Sequence, residues 1–150
     1  MKKLIFILTV LLISYSTKAQ SISFTNNTCS VIRVTLFCSD QTYTNCATIE
    51  SDLILVGSGG STTTLTSPAS INPYYQPPSN TSISYYLNGA STFDAIKVGA
   101  NDNQGCTEYF ALGNCGLPQT FTGSCHFCGG NLLQVTWTVS GSNTSVTFDN

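Results

Sequence analysis

The amino-acid sequence predicts an all-β protein, an antiparallel β-sandwich of jelly-roll or immunoglobulin-like type with about eight short strands. After residue 20, no stretch shows apolar residues at helical spacing over three turns. Short alternating runs recur instead, bounded by turn residues at intervals of roughly 8–12 residues. Polarity comes from Thr, Ser, Asn and Gly, and only 8% of the residues are charged. A small barrel is the alternative architecture.

Four segments in the first half of the chain match a strand pattern: residues 21–25, 31–37, 53–56 and 61–66. Residues 31–37 place Arg33 and Thr35 on the face opposite to their apolar neighbours. Residues 53–56 form a continuous apolar run, which predicts a central strand. Residues 61–66 are rich in threonine, and we expect that strand to be half exposed.

Five further segments match a strand pattern in the second half: residues 83–87, 93–98, 108–112, 133–139 and 144–148. Asn88 and Gly89 predict a hairpin between the first two of these segments. A turn at residues 140–143 joins the last two into a C-terminal hairpin. The four prolines of residues 67–80 predict a loop, because proline cannot donate to a strand ladder.

The first 19 residues have the pattern of a secretory signal peptide. Lys2 and Lys3 precede a short apolar run at residues 4–13, and Ala19 ends a small-x-small cleavage site. The run is too short to span a bilayer, so we expect cleavage and no membrane contact afterwards. The sequence therefore predicts a secreted protein, extracellular or periplasmic, with a single all-β domain at residues 20–150.

The charge of this domain excludes several classes of partner. After residue 19, Arg33 and Lys97 are the only basic residues, against seven acidic ones. Two cations cannot neutralise a run of phosphates, so we expect no binding to nucleic acid and no electrostatic attachment to anionic membranes.

In a secreted protein the seven cysteines predict a disulfide framework. Cys29 and Cys38 lie at opposite ends of a predicted strand, too far apart to pair. The best local pair is Cys38–Cys46, followed by Cys106–Cys115. An odd number leaves one cysteine as a thiol or as a link to a second chain, so we expect a monomer or a disulfide-linked dimer.

Cys125 and Cys128 form a C-x-x-C motif with three interpretations. A redox dithiol would need a helix after the motif, which the glycines at 129 and 130 do not favour. A zinc site would need two more ligands from Cys106, Cys115 or His126. The third interpretation is a glycine-rich loop joined to neighbouring segments by disulfides, and the sequence favours it.

Catalytic candidates are few. His126 is the only histidine and lies inside the cysteine motif, which favours an exposed loop residue over a catalytic triad. Glu50 and Asp52 could act as the paired carboxylates of a glycoside hydrolase, because an i, i+2 pair on an extended segment lies on one side.

Recognition is the function that the sequence favours. Tyr74 and Tyr75 lie in the proline-rich loop, where a stiff backbone would present two aromatic rings for sugar stacking or protein packing. The alternative is that the two rings fold back and close one end of the sandwich. We therefore expect a non-enzymatic adhesion module that binds a carbohydrate or protein surface, without cofactor or metal. The alternatives are a small glycoside hydrolase and a structural protein cross-linked through its odd cysteine.

Overall fold

Residues 21–39, 49–71 and 91–150 are described by a computed structural model of the chain. The predicted signal peptide, the predicted strand at residues 83–87 and its hairpin turn lie outside these ranges. Within them, the secondary structure consists of strands and two short 3-10 helices, at Pro68–Ser70 and Phe127–Gly129. The prediction of an all-β protein is confirmed.

Ten strands run through the described residues: β1 (Ser21–Asn26), β2 (Ile32–Cys38), β3 (Ile49–Glu50), β4 (Ile54–Val56), β5 (Ser61–Leu65), β6 (Phe93–Asn101), β7 (Thr107–Gly113), β8 (Thr120–His126), β9 (Leu132–Ser140) and β10 (Asn143–Asp149). They form two five-stranded sheets. The first has the order β5-β1-β10-β9-β8, and the second has the order β3-β2-β6-β7 with β4 also paired to β2. The sheets do not close into a barrel, so the sandwich is confirmed.

One pair of strands departs from the predicted antiparallel arrangement. β1 pairs in parallel with β10, with Ser21 opposite Asn143, whereas every other pair is antiparallel. No hairpin links these two strands, because they are the first and the last of the described chain. Their direction is therefore not constrained by a short turn.

The core lies between the two sheets and follows the predicted alternation. β2 buries Ile32, Val34 and Leu36, while Arg33 and Thr35 point outward. The first sheet contributes large side chains from its central strands: Phe24, Val135, Trp137, Val146 and Phe148. Because successive side chains of a strand point to opposite faces, each sheet is left with one outer face.

Two features of the strands differ from the sequence prediction. The apolar run at residues 53–56 is not a central strand, because β4 pairs only with β2 and leaves Leu53 and Leu55 more than half exposed. β8 was not predicted, because its middle is Gly123-Ser124. A Cβ on residue 123 would lie 2.9 Å from Glu108 Oε1, so the glycine makes room for that carboxylate.

Candidate functional site

Two disulfides join the Cys125–Cys128 loop to other segments. Cys128 bonds Cys29, and Cys125 bonds Cys106, with Cα–Cα distances of 5.8 and 5.9 Å. The interpretation of a loop held by disulfides is confirmed, and the motif is neither a redox dithiol nor a zinc-binding pair. The predicted pair Cys106–Cys115 is wrong, since Cys106 is bonded to Cys125 of β8. Two disulfides indicate an oxidising, extracellular environment.

The structure does not support the predicted disulfide between Cys38 and Cys46. Cys46 itself lies outside the described residues. Cys38 bears a thiol at the buried end of β2. Burial and, secondarily, the nearby Asp94 charge raise the pKa of this thiol far above its ordinary value. Cys115 is disulfide-bonded, to a residue other than Cys106.

One group of potential metal ligands occurs among the described residues. Ligand atoms of Cys106, Glu108 and Cys125 lie within 4.8 Å of one another. The two sulfurs are joined to each other, so they offer no thiolate. Glu108 Oε1 already accepts hydrogen bonds from the Ser124 amide at 2.6 Å and the Cys125 amide at 3.2 Å. The group is therefore structural, because the Glu108 carboxylate of β7 holds the backbone of β8.

The carboxylate of Asp102 is also used structurally. Its Oδ1 accepts hydrogen bonds from the Gln104 and Cys106 amides, and its Oδ2 accepts one from the Cys128 amide at 2.8 Å. Desolvation acts to raise the pKa of Asp102, but the backbone hydrogen bonds outweigh it, and the pKa lies below its usual value. This side chain holds the loop after β6 against the Cys128 loop.

The candidate catalytic carboxylates are not part of a described cluster. Glu50 lies in β3 opposite Phe37 and is half-buried. Asp52 is exposed, and its Oδ1 accepts the Leu53 amide at 2.8 Å. No group of three His, Cys, Asp or Glu side chains within the described ranges includes either residue. No observation on the described residues therefore supports the alternative function of a glycoside hydrolase.

His126 is exposed and borders a depression of about 440 Å³ at one end of the first sheet. Asp149 lines the same depression, and its Oδ1 accepts a hydrogen bond from Asn27 Nδ2 at 2.7 Å. The carboxylate is therefore held by an amide of the neighbouring loop.

The outer face of the first sheet carries a row of hydroxyl groups. Strand register aligns five threonines, one from each strand: Thr62, Thr25, Thr147, Thr136 and Thr120. Such a row would order water only if it were flat, and a sheet twists by roughly 20–25° per strand. A five-stranded sheet with that twist would turn such a row through most of a right angle. We assign this row to an ordinary solvated face.

The outer face of the second sheet has a different chemistry. Register aligns Leu55, Arg33, Gly99 and Tyr109 in one row across β4, β2, β6 and β7. The next row aligns Thr35, Lys97 and Ala111, and Leu53 borders it. We call the surface formed by these eight residues the Tyr109 face.

The Tyr109 face contains a depression of about 460 Å³. Its floor is low because Gly99 has no side chain and Ala111 has a short one. The side chain of Tyr109 is 82% exposed at one side, and Leu53 and Arg33 stand at the other. A second depression, of about 500 Å³, adjoins it at Arg33.

The second depression is polar at its far end. It is lined by Val31, Arg33 and Leu55 and by four side chains with hydroxyl or amide groups: Ser30, Ser58, Asn101 and Asn103. Arg33 therefore stands between an apolar hollow and a polar one. Together they form an elongated surface along β2 and β6.

Sequence reasoning named other residues for binding. Tyr74 and Tyr75 lie outside the described residues, so their prediction stands untested. Tyr109, Arg33 and Lys97 were not singled out as a site. The signal was the outward position of Arg33 on β2, but only the strand register brings it next to Lys97 and Tyr109.

Comparison of the chain with models of known protein families, with curated proteins and with solved structures finds no match. Over residues 21–39, 49–71 and 91–150, no helix has the length and apolar character needed to cross a membrane.

Proposed function

We propose that this protein is an exported, non-enzymatic binding or adhesion module that contacts an extracellular carbohydrate or protein surface through the Tyr109 face. One observation carries the proposal: Tyr109 is 82% exposed beside the side-chain-free Gly99, above a hollow of about 460 Å³. An aromatic ring held beside a hollow supplies contact area at a low entropic cost, since it has only two side-chain torsions.

The distribution of exposed apolar side chains supports the same face. Among the described residues, the large exposed apolar side chains are Val31, Leu53, Leu55, Tyr109, Leu117 and Val139. The first four lie on the Tyr109 face or border it, and the last two lie elsewhere. Scattered apolar side chains are normal on a surface, whereas a contiguous group indicates an interaction site.

The two alternatives have less support. A hydrolase would need convergent carboxylates, and the buried Asp102 and Glu108 are occupied by backbone amides. A structural protein cross-linked through a cysteine would need an accessible thiol, and Cys38 is fully buried. Neither observation favours these functions over binding.

Binding of the purified secreted protein to an immobilised panel of glycans and extracellular matrix proteins tests the proposal. We expect Tyr109→Ala to weaken the binding that the wild-type protein shows. Val139→Ala removes an exposed apolar side chain from the other sheet and should leave that binding unchanged. A double variant, Tyr74→Ala with Tyr75→Ala, tests the proline-rich loop in the same assay. Binding that is lost in this double variant and retained in Tyr109→Ala would contradict the assignment to the Tyr109 face.

A further inference from the structure

The basic residues of the domain are not spread over its surface. Arg33 and Lys97, the only Lys or Arg after residue 19, both line the hollow of the Tyr109 face. Thr35 pairs with Lys97, and Arg33 pairs with Gly99, so the two cations are diagonal neighbours on β2 and β6. Diagonal neighbours of this kind have side chains that begin about 7–8 Å apart.

Neither cation is paired with an acidic side chain in the part of the chain that the structure describes, although the domain is acidic. Asp94, Asp102 and Glu108 are buried and accept hydrogen bonds from other groups. Two like charges placed side by side repel each other unless an anion lies between them.

Other charged groups border the face without occupying it. Glu50 pairs with Phe37, one row beyond Thr35, and Asp52 precedes Leu53. The face is thus cationic at its hollow and acidic at its margin. The hollow would therefore attract the negative groups of a ligand, and the acidic margin would repel negative charge beyond it.

Building on the proposed function, we propose that the ligand of the Tyr109 face is an anionic polysaccharide, whose carboxylate or sulfate groups bind Arg33 and Lys97. Tyr109 and Leu53 would contact the apolar faces of sugar rings, because an aromatic ring packs on C–H groups. The guanidinium of Arg33 and the ammonium of Lys97 would donate charge-assisted hydrogen bonds to the anionic groups. Ser58, Asn101 and Asn103 offer hydroxyl and amide groups to the next unit of the chain.

The backbone of this face argues against an acidic peptide as the ligand. β2 and β6 are paired on both sides, so their N–H and C=O groups are engaged within the sheet. An extended peptide that binds as an added strand needs a free strand edge, which the middle of a sheet does not offer. A polysaccharide needs only side chains, and those are what the face presents.

The test is titration of the secreted protein with four polymers: polygalacturonate, dextran sulfate, uncharged dextran and poly-L-glutamate. We expect one or both of the anionic polysaccharides to bind, and we expect dextran and poly-L-glutamate to bind at least about tenfold more weakly. Polygalacturonate and dextran sulfate distinguish carboxylate from sulfate. The affinity should fall as salt concentration rises, since the contacts of an exposed face are screened.

Substitutions at Arg33 and Lys97 test whether the binding of the polysaccharide depends on these two cations. Arg33→Gln with Lys97→Gln should weaken binding by at least about tenfold, because each charge-assisted contact that is lost costs close to that factor. Arg33→Lys keeps the charge and should retain most of the binding. Urea unfolding checks that each variant is folded, which we expect for exposed side chains.

The outcomes separate this inference from the proposed function. Equal binding of dextran or of poly-L-glutamate, or full binding by the double Gln variant, would overturn the anionic polysaccharide. If Tyr109→Ala still weakened the binding of an uncharged glycan in that case, the proposed function would stand. If neither Tyr109→Ala nor the double Gln variant altered the binding of any polymer, both proposals would be wrong.

Discussion

Tyr109 lies directly across the strand ladder from Gly99, and its ring lies close against the position that a side chain on residue 99 would take. A Cβ on residue 99 would lie 3.3 Å from Tyr109 Cε1. An aromatic ring beside a glycine on the next strand covers the exposed backbone and is itself oriented by it. The shape of the hollow in the Tyr109 face therefore depends on Gly99 as much as on the ring of Tyr109.

The variant Gly99→Ala separates binding from stability. We expect binding to weaken, because the new methyl group fills the floor and displaces the exposed ring. The free energy of unfolding should stay level or rise by about 0.5–1 kcal/mol, since glycine is unfavourable inside a strand. Urea unfolding and the glycan assay measure the two effects.

Gly113→Ala is the matched control for that variant. Residue 113 has a φ of 147°, and a Cβ there would lie 2.4 Å from the Asp94 carbonyl oxygen. This substitution should destabilise the protein strongly. Equal losses of stability in the two variants would contradict the assignment of Gly99 to an open surface.

The lowered pKa of Asp102 predicts a dependence of stability on pH. A carboxyl group whose pKa is lower in the folded state stabilises the fold above its unfolded pKa of about 4, and this stabilisation is lost as the pH falls through the folded pKa. Asp102→Asn should be less stable than wild type at pH 7, because an amide group would face the Cys128 N–H. Urea unfolding between pH 7 and pH 2 should show that the difference narrows on acidification. A constant difference would mean that Asp102 does not act through its charge.

The two disulfides should contribute unequally to stability. Cys29 and Cys128 are 99 residues apart, and Cys106 and Cys125 are 19 apart. Closing a loop of about 100 residues restricts the unfolded chain by about 4.7 kcal/mol, against about 3 kcal/mol for a loop of 15 to 20 residues. Replacing both cysteines of a pair by alanine should cost more for Cys29–Cys128, as thermal unfolding of the two double variants would show. The reverse order would indicate that local contacts of the shorter loop dominate.

Asn26 is fully buried and links three segments. Its Nδ2 donates to the carbonyl oxygens of Ser30 and Val56 at 2.8 and 3.0 Å, and its Oδ1 accepts hydrogen bonds from the amide and the hydroxyl of Thr28. Asn26→Asp has the same shape but places a negative charge against two carbonyl oxygens. We expect a loss of about 3–5 kcal/mol at neutral pH.

The loss caused by Asn26→Asp should shrink as the pH falls, because a protonated carboxyl group can donate one of the two missing hydrogen bonds. Unfolding of the variant at pH 7 and pH 4 tests this, with Asn114→Asp as the control at an exposed residue. An unchanged loss at the lower pH would show that the packing of residue 26, not its donor groups, limits stability.

Period-2 alternation was sufficient to predict most strands of this fold. Ile32, Val34 and Leu36 fall on the buried face of β2, as predicted, and the same alternation buries Leu133, Val135 and Trp137 of β9. Alternation fixes which side chains share a face of one strand. It carries no information on which strands are neighbours, so the parallel pairing of β1 with β10 could not be predicted.

The candidate site was less accessible to sequence reasoning for the same reason. Arg33 and Lys97 are 64 positions apart in the chain and become neighbours only through the register of β2 with β6. The apolar run at residues 53–56 suggested burial, because a hydrophobic strand at a sheet edge has the same sequence as a central one. β8 was not predicted because Gly123 interrupts its strand pattern. That glycine is needed to make room for the Glu108 carboxylate of β7, a contact that the sequence does not reveal.

The parallel pair of β1 and β10 has a consequence for biogenesis. β1 lies between β5 and β10, so one of its two ladders forms only when β10, the last described strand, is present. A chain that emerges in order from its N-terminus cannot enclose Phe24 in the core until β10 has followed. Folds dominated by such distant pairings form slowly. The first sheet of a nascent chain would therefore remain incomplete until β10 has been synthesised, so this half of the core closes late.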